Sequence, residues 1–132
     1  METPVPEALR NERNEAVLEY LKSRSAHSDV GDALAQAVKP LGDVQTFCPN
    51  RSQYRFLAVS TAGVIFGFAC GMNLVAFRLD PPLTETALRT GADRMPDLAD
   101  WVGFHLFRSD WPEVDLKFWA RKSYALARQA DR

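Results

Sequence analysis

The stretch Tyr54–Leu79, YRFLAVSTAGVIFGFACGMNLVAFRL, decides the fold. It holds three runs, Tyr54–Val59, Val64–Ala69 and Leu74–Leu79, rich in the β-branched and aromatic residues that suit a pleated, half-buried surface. The links between them, Ser60–Gly63 and Cys70–Asn73, are of hairpin length. A parallel neighbour would need a crossover of about a dozen residues, so the three strands read as an antiparallel meander. The segment from Phe56 to Phe68 is the most apolar in the chain, but Ser60, Thr61, Gly63 and Gly67 interrupt it. It is too short and too broken to cross a bilayer as a helix.

Before the meander, Asp43–Phe47 reads as a short strand ended by Cys48-Pro49-Asn50. Thr3-Pro4 predicts a helix start, followed by about four turns with Leu9, Ala16, Val17, Tyr20 and Leu21 on one face. A second helix is predicted from an N-cap at His27-Ser28-Asp29, carrying Leu34, Ala37, Val38 and Leu41 and closed by Pro40 and Gly42. After the meander, Asp80-Pro81-Pro82 opens a helix that ends at Gly91. A polar connector, Ala92–Asp100, leads to the strand Trp101–Phe107. One face of that strand carries Val102, Phe104 and Leu106, and the other Trp101, Gly103, His105 and Phe107. Asp110 and Glu113 have capping-box spacing before a last helix that projects Leu116, Trp119, Ala120, Ser123 and Ala127 to one side. The expectation is an α+β fold in the order α-α-β-β-β-β-α-β-α: an antiparallel β-meander sheet with helices packed mainly on one face. No repeat or linker divides it, so residues 1–132 are read as one domain with residues 1–5 as a flexible N-terminal tail.

The net charge of −1 leaves no long-range field to draw the molecule to DNA or an anionic membrane. Its distribution is uneven. Glu2, Glu7, Glu12, Glu15 and Glu19 crowd the first twenty residues, while Lys117, Arg121, Lys122, Arg128 and Arg132 mark the last helix. These opposite ends are expected to pack together, with the first helix covering Phe118. Cys48 and Cys70 are too few for a disulfide scaffold and form no Cys-x-x-Cys pair. The acidic start lacks the basic and apolar regions of a signal peptide, so a soluble, cytoplasmic protein is expected.

From Phe56 to Ala127, roughly half the chain, the sequence resembles the small family known as the luciferase domain. The resemblance rests on the strands around Gly63 and Gly67, Asp80-Pro81-Pro82, Leu88-Arg89-Thr90-Gly91-Ala92, Trp101-Val102-Gly103-Phe104 and Arg121-Lys122-Ser123-Tyr124. The order of elements is also similar to the double-wing fold of the YjbR family, where a Ser-Tyr pair sits in a last helix. The resemblance implies a fold and supplies no catalytic set.

The chain contains no Gly-rich phosphate loop, Gly-x-Ser-x-Gly elbow or His-Glu-x-x-His spacing, so no catalytic residue, metal ligand or cofactor is assigned. Cys48 and Cys70 read as small core residues rather than nucleophiles. Trp101 and His105 are the ligand-binding candidates: they flank Gly103 on one strand face and could floor a pocket for a flat or anionic ligand. Lys117, Phe118, Arg121 and Arg128 are the interaction-surface candidates, a basic stripe beside the apolar row Val114, Phe118 and Ala125. Ser123 is expected to allow close helix–sheet contact, and Tyr124 to sit at the core edge.

These features favour a non-catalytic binding or protein-interaction module, with a protein partner or a homodimer as the associations considered and a membrane excluded. The alternative is a small-molecule binder or enzyme using a pocket at Trp101/His105. A second is nucleic-acid binding through the basic C-terminal helix, weakened by the net charge.

Overall fold

The computed structural model describes residues 3–53, 55–107 and 114–129. Six strands, β1 (Gln45–Phe47), β2 (Leu57–Thr61), β3 (Val64–Cys70), β4 (Leu74–Arg78), β5 (Asp93–Arg94) and β6 (Trp101–His105), form one sheet. Its order is β1-β2-β3-β4-β6-β5, and every neighbouring pair is antiparallel. The helices are α1 (Glu15–Leu21), α2 (Ser28–Val38), α3 (Pro81–Arg89) and α4 (Leu116–Gln129). This is the expected α+β fold around a meander.

The link between β2 and β3 is tighter than its sequence suggests. Ser60 and Thr61 belong to the strand, and only Ala62 (φ 52°) and Gly63 (φ 77°) make the turn. Two successive left-handed residues match the right-handed twist of the flanking strands. A bulge follows. Val59 pairs with Gly67 but Ser60 pairs with Ile65, so Phe66 is an extra residue on β3. The bulge turns Phe66 toward the helices, beside Phe77, Phe104 and Trp119 in the larger core cluster.

Both faces of the sheet are buried. Leu57, Val59, Val75, Phe77, Val102 and Phe104 face α2, α3 and α4. Phe56, Ala58, Ile65, Phe68, Ala76 and Trp101 face the N-terminal segment through Leu9, Val17 and Leu21. Burial on both faces explains why β3 reads as a continuous apolar run rather than an alternating one.

The N-terminal segment departs from expectation. In place of a four-turn helix there are 3-10 turns at Glu7–Leu9 and Glu12–Asn14, then the short α1. Asn11 is extended (φ −141°), which breaks the helix. The break lets two asparagine amides reach the sheet: Asn11 Nδ2 donates to Gly63 O and Asn14 Oδ1 accepts from Ile65 N, both at 2.9 Å. The acidic start and basic end therefore lie on opposite faces, and Phe118 is covered by Trp119 of its own helix rather than by α1. The charge pattern was a poor guide because burying Leu9, Val17 and Leu21 outweighs exposed ion pairing.

The remaining boundaries shift modestly. Asp80 caps α3, accepting from Leu83 N at 3.0 Å, and Gly91 follows with φ 107°. The connector contributes the two-residue β5. The capping box at Asp110 and Glu113 lies outside the described residues, and Asp115 Oδ1 accepts from Phe118 N in the first turn of α4.

Candidate binding cleft

Trp101 and His105 sit at opposite ends of β6 and line different depressions. Trp101 is 4% exposed, its ring 5.1 Å from Phe68, with the Arg78 guanidinium 5.5 Å from the Trp101 centroid. Burial lowers the Arg78 pKa, an effect opposed by Asp100 and reinforced by Arg13. The space beside Gly103 is also taken. A Cβ there would lie 2.8 Å from Leu74 Cδ1 and 3.0 Å from Met95 Sδ. Gly103 admits the protein's own side chains.

His105 remains near the surface at the other end of the strand. Its Nε2 lies 3.1 Å from Asp93 Oδ2, the two held diagonally across β5 and β6, where Asp93 pairs with Gly103. It lines a cleft of about 590 Å³ where α3, β6 and α4 converge. Arg89 and Thr90 form one wall, Val114 and Phe118 the other, and Phe104 and Trp119 the floor. A relay of rings joins floor to surface: Phe77 to Phe104 at 6.0 Å, Phe104 to Trp119 at 5.3 Å, Trp119 to Phe118 at 4.9 Å. The structure thus brings His105 and Phe118, assigned from sequence to separate surfaces, into one cleft.

The basic stripe is partly consumed at home. Arg128 Nη1 donates to Thr61 Oγ1 at 2.8 Å, and the guanidinium lies 5.5 Å from the Tyr124 ring centroid. Lys117 and Arg121 are exposed, and Lys122 Nζ rests 5.4 Å from the Phe118 centroid. Ser123 is buried, with its Oγ 2.7 Å from both Phe66 O and Arg78 O, so its hydroxyl can donate to the bulge carbonyl. Tyr124 donates to Gly42 O at 2.5 Å. These two hydroxyls attach α4 to the sheet and to the loop after α2.

Two other depressions matter. His27, Cys48 and Arg55 line a cavity of about 250 Å³ beside α2, a juxtaposition that sequence spacing could not reveal. His27 Nδ1 accepts from Asp29 N at 3.1 Å as the cap of α2. A ring nitrogen that accepts a backbone N–H keeps its lone pair there, which puts the neutral ring's proton on Nε2. His27 in this state has no lone pair at Nε2 with which to deprotonate the Cys48 thiol. A larger groove of about 760 Å³ separates the N-terminal segment from β1, but Glu12, Glu15 and Glu19 there face Arg10, Lys22 and Arg55. Its charges balance, so it selects no ligand class.

Cys70 is buried, and desolvation pushes its thiol up, opposed by Arg24 and the hydrogen bond with Tyr20. Among the described residues no group of three or more His, Cys, Asp or Glu side chains could hold a metal ion, and no helix is long and apolar enough to cross a membrane. No family model, curated protein or solved structure matches this chain.

Proposed function

We propose that this chain is a non-catalytic binding module whose recognition site is the α3–β6–α4 cleft. One observation carries the reading: His105 and Phe118 line the same cleft over an aromatic floor. The volume of about 590 Å³ is in the range of small-ligand sites, which combine apolar walls with a few placed polar groups. The side-chain chemistry supports the non-catalytic part. The hydroxyls of Thr86 and Thr90 in the cleft wall donate to Pro82 O and Ala87 O rather than to a histidine. The stretch Phe56–Ala127 resembles the luciferase-domain and YjbR families, and that resemblance brings no catalytic set.

Titration of isotopically labelled protein with a fragment library, followed by amide chemical shifts, tests the site. The expected binders shift Arg89, Thr90, His105 and Phe118 together, and His105→Ala abolishes their binding with little loss of fold. Shifts confined to the α2 cavity or the N-terminal groove would overturn the reading.

A further inference from the structure

We infer that the outer edge of β1 is a self-association surface, taken by β1 of a second copy of this chain in antiparallel two-fold pairing. It lies across the sheet from the α3–β6–α4 cleft and does not depend on that reading. Along an antiparallel ladder, successive residues bond alternately to one neighbour and then the other. Leu79 N donates to Asp100 O and Leu106 N to Asn73 O, in register with the β4–β6 pairs Val75–Phe104 and Phe77–Val102. Val75 and Phe77 therefore bond toward β6, which leaves Ala76 bonded to Phe68. Carried across β3 and β2, the same alternation bonds Val59 to Gly67 and Ala58 to Phe47. Thr46, which stands opposite Val59, turns its N–H and C=O away from the sheet. Among the described residues none bonds the Thr46 backbone on that side, and Gln45 and Thr46 are exposed.

Edge strands are normally guarded against pairing by charged side chains, proline or a bulge. At the opposite edge, β5 is Asp93-Arg94, both exposed. The β1 edge has no such guard: residues 44–48 read VQTFC, without charge or proline, and the bulge lies between β2 and β3. The stretch is bounded by Asp43, whose φ of 61° ends the extended chain, and by Pro49, which has no N–H to donate. Between those limits, only a register centred on Thr46 pairs all of residues 44–48 with their own copy. Thr46 then meets Thr46, a favourable cross-strand pair, and Gln45 meets Phe47. Val44 of the second copy comes beside Cys48, at the rim of the cavity that Thr46, Cys48 and Leu57 line under α2. An uncharged strand complementary to itself favours a second copy over an unrelated segment, and a two-fold dimer is the commonest closed assembly.

The test is sedimentation velocity of the full chain from micromolar concentration to about 1 mM, because so short an edge makes a weak dimer. The expected result is a monomer–dimer equilibrium within that range, with the Thr46 amide gaining hydrogen-exchange protection as the dimer forms. Thr46→Lys and Thr46→Glu each weaken the dimer on the order of tenfold, and an equimolar mixture of the two restores it. Only pairing centred on this position sets the lysine against the glutamate. Thr46 is exposed, so an unchanged circular dichroism spectrum confirms that each variant folds. A monomer throughout overturns the inference. A dimer that neither charge weakens, or that the mixture fails to restore, also overturns it and moves the contact elsewhere, as to the exposed Met72 and Phe107. A monomer whose Thr46 amide shifts on addition of a synthetic Thr-Val-Thr-Val-Thr peptide would hand the edge to an unrelated extended segment. None of these outcomes bears on the cleft, whose test is fragment binding at Arg89, Thr90, His105 and Phe118.

Discussion

Replacing Asn14 with alanine tests how the second face of the sheet is closed. Asn14 is fully buried; its Nδ2 donates to Leu9 O and Gly63 O, and its Oδ1 accepts from Ile65 N, each at 2.9 Å. The three lost bonds do not cost the same. Leu9 O keeps Asn11 N at 3.1 Å, and Gly63 O keeps Asn11 Nδ2 at 2.9 Å. Each of those losses is worth about 0.5–1 kcal/mol, whereas the Ile65 N–H is left buried beside the bulge without its acceptor, at about 1–3 kcal/mol. The sum is about 3 kcal/mol. For 132 residues the unfolding entropy at the midpoint is about 0.28 kcal/mol/K, so Tm falls by about 11 °C. Differential scanning calorimetry of Asn14→Ala beside Asn11→Ala, expected to cost only about 1 kcal/mol, gives the comparison. Equal losses, or a loss below about 1 kcal/mol for Asn14→Ala, would refute the latch.

The other tests address attachment of the last helix and the two thiols. Ser123→Ala removes the donor between Phe66 O and Arg78 O and should lower the urea-derived stability by about 1.5 kcal/mol, and an unchanged midpoint would mean that α4 docks by apolar contact alone. Cys70 is buried at the end of β3 and Cys48 is partly exposed, and a disulfide reagent must reach the sulfur to react, so one equivalent should react in native buffer and two after unfolding. Two rapid equivalents in the folded state would show that the β3 end opens.

The meander was legible because its signals are local: strand-forming runs, hairpin-sized links, and the Asp-Pro-Pro entrance to α3. What escaped was set by distant partners. Nothing around Asn11 and Asn14 reveals that their amides will be used 49 to 52 residues away, at Gly63. Those bonds break what composition reads as one helix. Trp101, Gly103 and His105 do share a strand face, but alternation cannot say what else occupies it. Leu74 and Met95 fill the space at Gly103, and Phe68 and Arg78 cover Trp101. Phe118 was visible as a second apolar row on the last helix. Its proximity to His105 was not, because α3 and the chain after β6 had to be placed first.

The cleft lies at the end of β6 for a reason rooted in packing. The helices on that face stand on different strands: α4 contacts β3 and β4, while α3 contacts β6 and β5. Ser123 fixes α4 against the Phe66 bulge, and Asp80 fixes the start of α3 just after β4. Both anchors lie away from the His105 end of β6, where the two helices leave a space floored by Phe104 and Trp119. The same end of the sheet carries the two exposed large apolar side chains among the described residues, Met72 and Phe107, in neighbouring segments tied by Leu106 N to Asn73 O at 2.8 Å. The bonds that close the second face of the sheet thus lie at the opposite end from the proposed cleft. The asparagine latch and the bulge hold the β2–β3 turn end, so the exposed Arg89 and the partly exposed His105 can be replaced with little disturbance of the core.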